Sequence, residues 1–318
     1  MAKYRIGVDL GGTNIVVGVI DAENKIIARA SRKTNAPRAA EGIFDDMADA
    51  ISEAMDKAHI SKEDVVSVGV GTPGSVNKED ELIEFANNLA FDNVPAYQML
   101  RERTGFQKVY FDNDANCAAL GEAVAGCGKG VKSFVMVTLG TGVGSGIIVN
   151  GKLVTGLNYA AGEMGHTVIV YNGIPCNCGR CGCWEKYSSA TALIAQTKDA
   201  LRANSDSLMW DLIDNDFNKV SGRTAFEAAR RGDAAARAVV NQYVAYLACG
   251  ISNIVNIFQP DMVCVGGGIG NEKENLLAPT RKILASERYS IHAKKQTELV
   301  AATLGNDAGV IGAALLDE

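Results

Sequence analysis

Proline is scarce in this chain, with 6 in 318 residues against 34 glycines. No proline-rich linker or low-complexity segment interrupts it, and hydrophobic residues make up 47%. That composition excludes a disordered chain and fits a compact α/β protein with many tight strand turns. A basic excess is also missing. The formal net charge is −6, with both signs interleaved along the chain. Without a basic patch or arm, a nucleic-acid binder is not expected. Small anionic ligands remain open, because backbone amides bind phosphate without a basic balance. No apolar leader precedes the first strand pattern in "MAKYRIGVDL", so no signal peptide is expected. The longest uncharged stretch, Ala238 to Pro260, holds Asn241, Gln242, Ser252, Asn253 and Asn256. Those amides and hydroxyl are costly in lipid, so the stretch reads as a buried core helix. A soluble, cytoplasmic protein is expected, where structural disulfides are rare.

Hydrophobic periodicity supplies the elements. Residues 4–20 and 25–30 read as strands broken by the glycine turn at 11–12, and an amphipathic helix follows at about 40–59. "VVSVGVGTPG" and "KVYFDND" are buried strands, and "ANCAALGEAVAG" opens a helix. Two strands joined by a glycine turn cover 133–149. Helical patterns occupy 188–203, 224–230, 234–258 and about 274–286, with strands at 262–268 and "ELVAAT" before a short final helix. "VDLGGTNIVVGVI" (8–20) and "VTLGTGVGSGIIV" (137–149) share one form, a strand, a glycine turn with a hydroxyl residue, and a second strand. One such hairpin opens each half, which predicts two related lobes facing a shared cleft. The boundary is expected near residue 118. A smaller lobe would take residues 1–118 plus a C-terminal helix at about 306–318, and a larger lobe residues 119–305.

The glycine turns are not dinucleotide or P-loop motifs. Those motifs open a helix, and a P-loop carries a lysine. "LGGTN" instead leads into the strand "IVVGVI". A hairpin turn of this kind can hold phosphate through glycine amides and the Thr13 hydroxyl, while Asp9 reaches a hydrated magnesium. The alternative, a tight hairpin that only tolerates glycine, weakens when "GGGIG" (266–270) supplies a third glycine loop.

Four of the eight cysteines fall in "CNCGRCGCWEKY" (176–187), and His166 lies ten residues upstream. A tetrahedral zinc site needs four nitrogen or sulfur ligands, and five candidates are present: His166, Cys176, Cys178, Cys181 and Cys183. The histidine favours zinc over an iron–sulfur cluster, and a cytosolic setting disfavours a disulfide. Which four of the five bind is not decided by spacing.

Phosphoryl transfer to an alcohol needs a base near the attacking hydroxyl. "FDNDANCAAL" places Asp112 and Asp114 where a strand meets a helix. Either could serve, and Asp114 also suits an N-cap. "FANNLA" offers Asn87 and Asn88 in a loop, where they are either hydroxyl partners or plain turn formers. His59 and His292 read as surface residues.

"DLGGT", "GTPG", "NDAN", "LGTGVGSG", "GEMGH", "CNCGRCGCWE" and "VGGGIG" occur in an order and spacing that resembles the ROK family of sugar kinases and repressors. The resemblance covers essentially the whole chain. It implies an α/β, two-lobed, actin-like (ribonuclease H-like) ATPase fold with a nucleotide and sugar cleft between the lobes. It implies phosphate loops at 9–14 and 138–146, with Asp9, Gly11, Gly12, Thr13, Asn14, Thr138, Gly140, Thr141 and Gly142 on MgATP. Gly266, Gly267 and Gly268 would form the adenosine loop. The family motif also chooses among the cysteines: structural zinc on His166, Cys176, Cys178 and Cys183, with Cys181 spare. Asp114 becomes the general base, and Gly74, Asn87, Asn88, Asn113, Glu163, His166 and Glu185 meet the sugar. The expected activity is phosphorylation of glucose at its 6-hydroxyl in sugar breakdown (glycolysis). The alternatives are a kinase for N-acetylmannosamine, fructose, mannose or allose, and more distantly a sugar-sensing regulatory protein without catalysis. The resemblance also implies a homodimer or homotetramer.

Overall fold

Alternating apolar residues build a three-strand antiparallel meander of β1 (Tyr4–Leu10), β2 (Asn14–Ile20) and β3 (Ile26–Lys33). The computed structural model describes residues 3–317. β4 (Val65–Thr72) then pairs parallel with β1. Three short antiparallel strands follow as a small separate sheet: β5 (Ser75–Asn77), β6 (Leu82–Ala86) and β7 (Phe91–Val94). β8 (Val109–Asn113) returns to pair parallel with β4 and completes the first sheet in the order β3-β2-β1-β4-β8.

A second five-stranded sheet holds β9 (Phe134–Leu139), β10 (Val143–Val149), β11 (Lys152–Leu153), β12 (Met262–Gly266) and β13 (Glu298–Ala301). Its order is β11-β10-β9-β12-β13, with β10 and β11 antiparallel and β12 and β13 parallel. Each sheet thus runs third, second, first, fourth, fifth by its own strand count. The two similar hairpins read from the sequence are the first pair of each sheet. This repeated order is the α/β, ribonuclease H-like arrangement of an actin-like fold.

Two compact units divide the chain. The first takes residues up to Phe134, Gly146–Gly162, and those from Thr303 on; the second takes Val135–Ser145 and Glu163–Ala302. Residue 118, the expected boundary, falls inside the helix Asp114–Ala125, which lies wholly in the first unit.

In the first unit the helix Ala40–Ala58 turns Ile43, Phe44, Met47, Ala50, Ile51, Ala54 and Met55 inward at three- and four-residue spacing, and packs on β2 and β3. Phe44 meets Phe91 and Phe111 with ring centroids 6.4 and 6.3 Å apart. The final helix, Asp307–Ala314, lies against the first sheet so closely that side chains there must be absent. A Cβ on Gly7 would stand 1.9 Å from the Val310 carbonyl oxygen, and one on Gly69 1.8 Å from that of Ala313. The same helix presses on Asp114–Ala125, where a Cβ on Gly312 would stand 1.6 Å from the Cys117 oxygen. Glu122, fully buried, fastens the chain that leads into it. Its carboxylate accepts from the backbone N–H groups of Cys127 (3.0 Å), Thr303 (2.8 Å) and Leu304 (2.6 Å).

In the second unit the helix Ala234–Phe258 begins at an Asp233 cap, whose carboxylate accepts from Ala236 N–H at 2.7 Å. Among the described residues it is the one helix long and apolar enough to cross a membrane, but 56% of its most apolar stretch is buried within the protein. It is a core helix. The Trp184 ring, fully buried, lies against Gly250, where a Cβ would come within 2.0 Å of it, and its indole N–H donates to the Tyr246 oxygen at 3.0 Å.

Candidate active site and metal centre

Parallel strands end together in the first unit. Asp9 of β1 stands opposite Gly71 of β4, and Gly71 opposite Asp112 of β8. Carboxyl ends of parallel strands are where open α/β sheets place their chemistry. Asp9 is half-buried, and burial pushes its carboxyl above the usual value. Its oxygens face Gly309 in the first turn of the final helix, where a Cβ would lie 3.2 Å away. The turn after β1 is closed by Gly11 N–H donating to the Asn14 oxygen at 2.9 Å. Thr34, fully buried, clamps it further, its hydroxyl donating to the Gly11 oxygen at 2.6 Å and its N–H to the Thr13 oxygen at 2.9 Å. Gly12 lies beside Asn88, with 3.5 Å from its would-be Cβ to that of the asparagine. The Asn14 side chain is bound to Lys33 Nζ at 2.9 Å, and Thr13 is exposed.

The structure separates the two acidic candidates. Asp112 is 2% exposed, and all its bonds are internal: Oδ2 accepts from Lys78 Nζ at 2.5 Å, and Oδ1 from Asn113 N–H at 2.7 Å and Asn116 Nδ2 at 2.8 Å. Asp114 is exposed as the first residue of its helix. The N-cap is Asn113 rather than Asp114: its side chain accepts from Ala115 N–H at 2.9 Å, and Asp114 Oδ1 adds a second acceptor at 2.8 Å. Asn113 also donates through Nδ2 to the Gly74 oxygen at 3.1 Å. Gly74, at φ 90°, also permits the close approach of β6, since a Cβ there would meet the Phe85 oxygen at 1.9 Å. Asn87 and Asn88 are exposed, and they sit in a single 3₁₀ turn, Asn87–Leu89, rather than the loop expected. The candidates of the first unit thereby fall into two contacting groups, Gly12 with Asn88, and Gly74 with Asn113 and Asp114.

In the second unit the turn after Thr138 is closed by Gly140 N–H donating to the Gly142 oxygen at 3.0 Å. The start of the helix Ala190–Ala203 holds it from behind: Ala190 N–H donates to the Gly140 oxygen at 2.8 Å and the Thr191 hydroxyl to the Thr141 oxygen at 2.8 Å. Glu185 reaches the same turn and accepts from Val143 N–H at 3.0 Å. Met164 N–H donates to the Ser145 hydroxyl at 3.1 Å, which ties the segment of Glu163 and His166 to β10. Glu163 is exposed and His166 half-buried. The glycine run 266–270 is not a loop. Gly266 ends β12, and Gly267–Gly270 form one helical turn, with Gly267 at φ 78° and a would-be Cβ 2.6 Å from Leu139 N.

The cysteine loop gathers four ligand atoms. His166, Cys176, Cys178 and Cys183 place theirs all within 4.8 Å of one another. The Cys178 and Cys183 sulfurs are 3.6 Å apart, and His166 Nδ1 lies 3.7 Å from the Cys176 sulfur. A tetrahedral ion with Zn–S bonds of about 2.3 Å sets its sulfurs about 3.8 Å apart, so this donor set fits one. Cys181 is outside the group and exposed; its backbone bridges to Pro175. Gly179 (φ 89°) and Gly182 (φ 82°) make the two sharp bends the loop requires. The Arg180 backbone N–H draws the Cys178 thiol down to about 7, while burial pushes Cys183 up to about 12. His59 and His292 are exposed, as expected. Thr34, Lys78 and Asn116 were not singled out from the sequence. Lys78 sits in the polar turn "NKED", which carries no sign of a buried partner.

The ROK family model matches residues 5–318. A glucokinase of Halalkalibacterium halodurans is 37% identical over 98% of this chain and 93% of its own length. A glucokinase of Thermotoga maritima is 37% identical over 97% of this chain and 95% of its own. The crystal structure of a ROK family glucokinase from Streptomyces griseus, in complex with glucose and AMPPNP, superposes with a TM-score of 0.83 at 35% identity, covering 98% of each chain.

Proposed function

The chain belongs to the ROK family, and on that premise we propose that it is an ATP-dependent hexokinase that transfers the γ-phosphate of ATP to the 6-hydroxyl of glucose. Its glucokinase relatives match nearly end to end, and the solved relative holds glucose with a nucleotide. Within the chain, one observation carries the reading. Of two neighbouring carboxylates, Asp112 is buried and fully bonded while Asp114 is presented outward from a fixed helix start.

Asp114 is the general base in this reading: it accepts the proton of the attacking hydroxyl as the oxygen reaches phosphorus. Asn88 and Glu163 are exposed and His166 is half-buried, so all three can bind hydroxyls, with Gly74 providing a bare backbone surface. The two hairpin turns and the Gly267 turn hold the triphosphate and adenosine through main-chain groups. Asp9 would hold the magnesium that comes with ATP, which would supply charge neutralisation at the phosphates.

Structural zinc would be held by His166, Cys176, Cys178 and Cys183, a reading supported by the gathering of their ligand atoms within 4.8 Å. Four protein ligands leave it no open position, so it supplies rigidity and no chemistry. With Nδ1 turned to the sulfurs, the Nε2 of His166 is left to a hydroxyl, its ring direction set by the ligand contact.

An ADP-release assay with MgATP against glucose, mannose, fructose, N-acetylmannosamine, N-acetylglucosamine and allose tests the proposal. Turnover greatest on glucose is expected. Preference for another sugar would reassign the substrate, and silence on all six with ATP would refute the kinase reading.

A further inference from the structure

We propose that Lys78 and Asp112 form a positioning pair that sets the sugar-side face of the first unit, an inference that rests on the kinase reading above. Asp112 is buried at the end of β8, its side chain 3% exposed against 34% for Lys78. Its two oxygens serve three different segments. Oδ1 holds Asn113 N–H at 2.7 Å and Asn116 Nδ2 at 2.8 Å, which fixes the strand-to-helix junction on either side of Asp114. Oδ2 holds Lys78 Nζ at 2.5 Å, and Lys78 belongs to the turn between β5 and β6.

That turn is stiff. Asn77 Oδ1 accepts from the N–H groups of Glu79 (3.1 Å) and Asp80 (3.0 Å), and Asn77 Nδ2 donates to Glu84 Oε1 at 3.0 Å. Position imposed on Lys78 is therefore passed to β5, which begins just after Gly74, and to β6, which leads into the turn of Asn87 and Asn88. The ion pair thereby helps to register Gly74, Asn87 and Asn88 on one side against Asp114 on the other. The hydrogen bond from Asn113 Nδ2 to the Gly74 oxygen follows the same path.

Charge supports the assignment. The Cys117 thiol, wholly buried, is raised first by burial and then by Asp112, Asp114 and Asp9, and Lys78 is the cation that acts in the opposite sense. Of the three carboxylates that act on this thiol, Lys78 pairs with Asp112, whose side chain is 3% exposed. A lysine in an exposed polar turn ordinarily contributes little. Here its partner is desolvated, and a buried carboxylate that loses its cation must move or take up a proton. Movement of Asp112 reaches Asp114 two residues away through Asn113.

The test compares the full-length protein with Lys78→Met, Lys78→Arg, Asp112→Asn and the Lys78→Met/Asp112→Asn pair, with glucose and MgATP as substrates. In Lys78→Met, kcat/KM for glucose should fall about tenfold while KM for ATP stays within about twofold. Lys78→Arg should recover to within about threefold of the parent, and the double variant should lose no more than the worse single one. Amide exchange at 83–90 and 113–117 should quicken in Lys78→Met and not in Lys78→Arg. A Lys78→Met enzyme within about twofold of the parent, or an arginine that rescues nothing, overturns the pair. Should the parent itself phosphorylate no sugar, the kinase reading fails separately. The exchange data then decide alone, and unchanged protection at 113–117 in Lys78→Met would end the proposal.

Discussion

Glu185 Oε2 accepts a hydrogen bond from Val143 N–H at 3.0 Å, which joins the residue two places after Cys183 to the strand leaving the turn at 140–142. A Cβ on Gly142 would fall 2.1 Å from that oxygen, so any side chain there would displace the carboxylate from the turn. The cysteine loop and the second hairpin are therefore one construction, and a change in either should be felt at both ligands.

Glu185→Ala removes the acceptor and leaves the Val143 N–H bare. KM for ATP and for glucose should each rise about tenfold, the scale of losing a hydrogen bond to a charged group. Glu185→Gln keeps an acceptor for Val143, so its KM for ATP should stay near the parent while KM for glucose rises. Initial-rate kinetics check both; equal behaviour of the two variants would contradict this split.

Cys178→Ala should abolish stoichiometric zinc, read by atomic absorption. It should weaken glucose binding about tenfold or more by titration calorimetry, since outer supports of such sites matter on that scale. Retained glucose affinity in a zinc-free protein would mean that the loop does not support the pocket.

Asp114→Asn should lower kcat by about a hundredfold to ten-thousandfold, the usual contribution of a general base. Its glucose affinity should stay within a few-fold of the parent, because the asparagine keeps a hydrogen-bonding side chain of the same size. Asp112→Asn should instead lower the melting temperature, since the residue is buried and triply bonded. Near-normal turnover by Asp114→Asn would remove it from the base role.

Burial raises the Asp9 carboxyl above its ordinary 3.8. The folded state therefore holds that proton more tightly than the unfolded state, and this contribution to stability is full below pH 3.8 and declines as pH rises through the raised value. At pH 7 the ionised, half-buried group carries a cost that Asp9→Asn lacks. In magnesium-free buffer the variant should melt above the parent at pH 7, with the gap closing as pH falls; assayed separately with MgATP, its turnover should be about a hundredfold lower. A variant that melts at or below the parent at pH 7 would sink this account.

Much of the fold could be read directly, because long strands alternate and long helices keep a three- and four-residue apolar spacing. The meander of β1 and β2, the hairpin of β9 and β10, and the helix Ala234–Phe258 all follow from such runs. The small sheet did not stand out. β5, β6 and β7 are three to five residues long and are separated by asparagine, aspartate and lysine turns, so no run is long enough to show a period. The helical turn at Gly267–Gly270 was hidden by glycines, which favour no conformation. At the site, residue types pointed to five zinc ligands and two possible bases. The family resemblance chose four of those ligands and Asp114; placement in space likewise leaves Cys181 outside the group and buries Asp112. Lys78 and Asp112 are 34 positions apart, and neither carries a local sign of the other.

The helix Asp307–Ala314 is made after every strand of both sheets, yet it covers Gly7 of β1 and Gly69 of β4. During synthesis the glycine-lined face of the first sheet waits uncovered while nearly all of the second unit emerges and folds. The first unit is thus finished only after the second. A chain cut before Asp307 would leave Asp9 without the Gly309 turn against which its carboxylate rests, and the face we propose for ATP would stay unassembled.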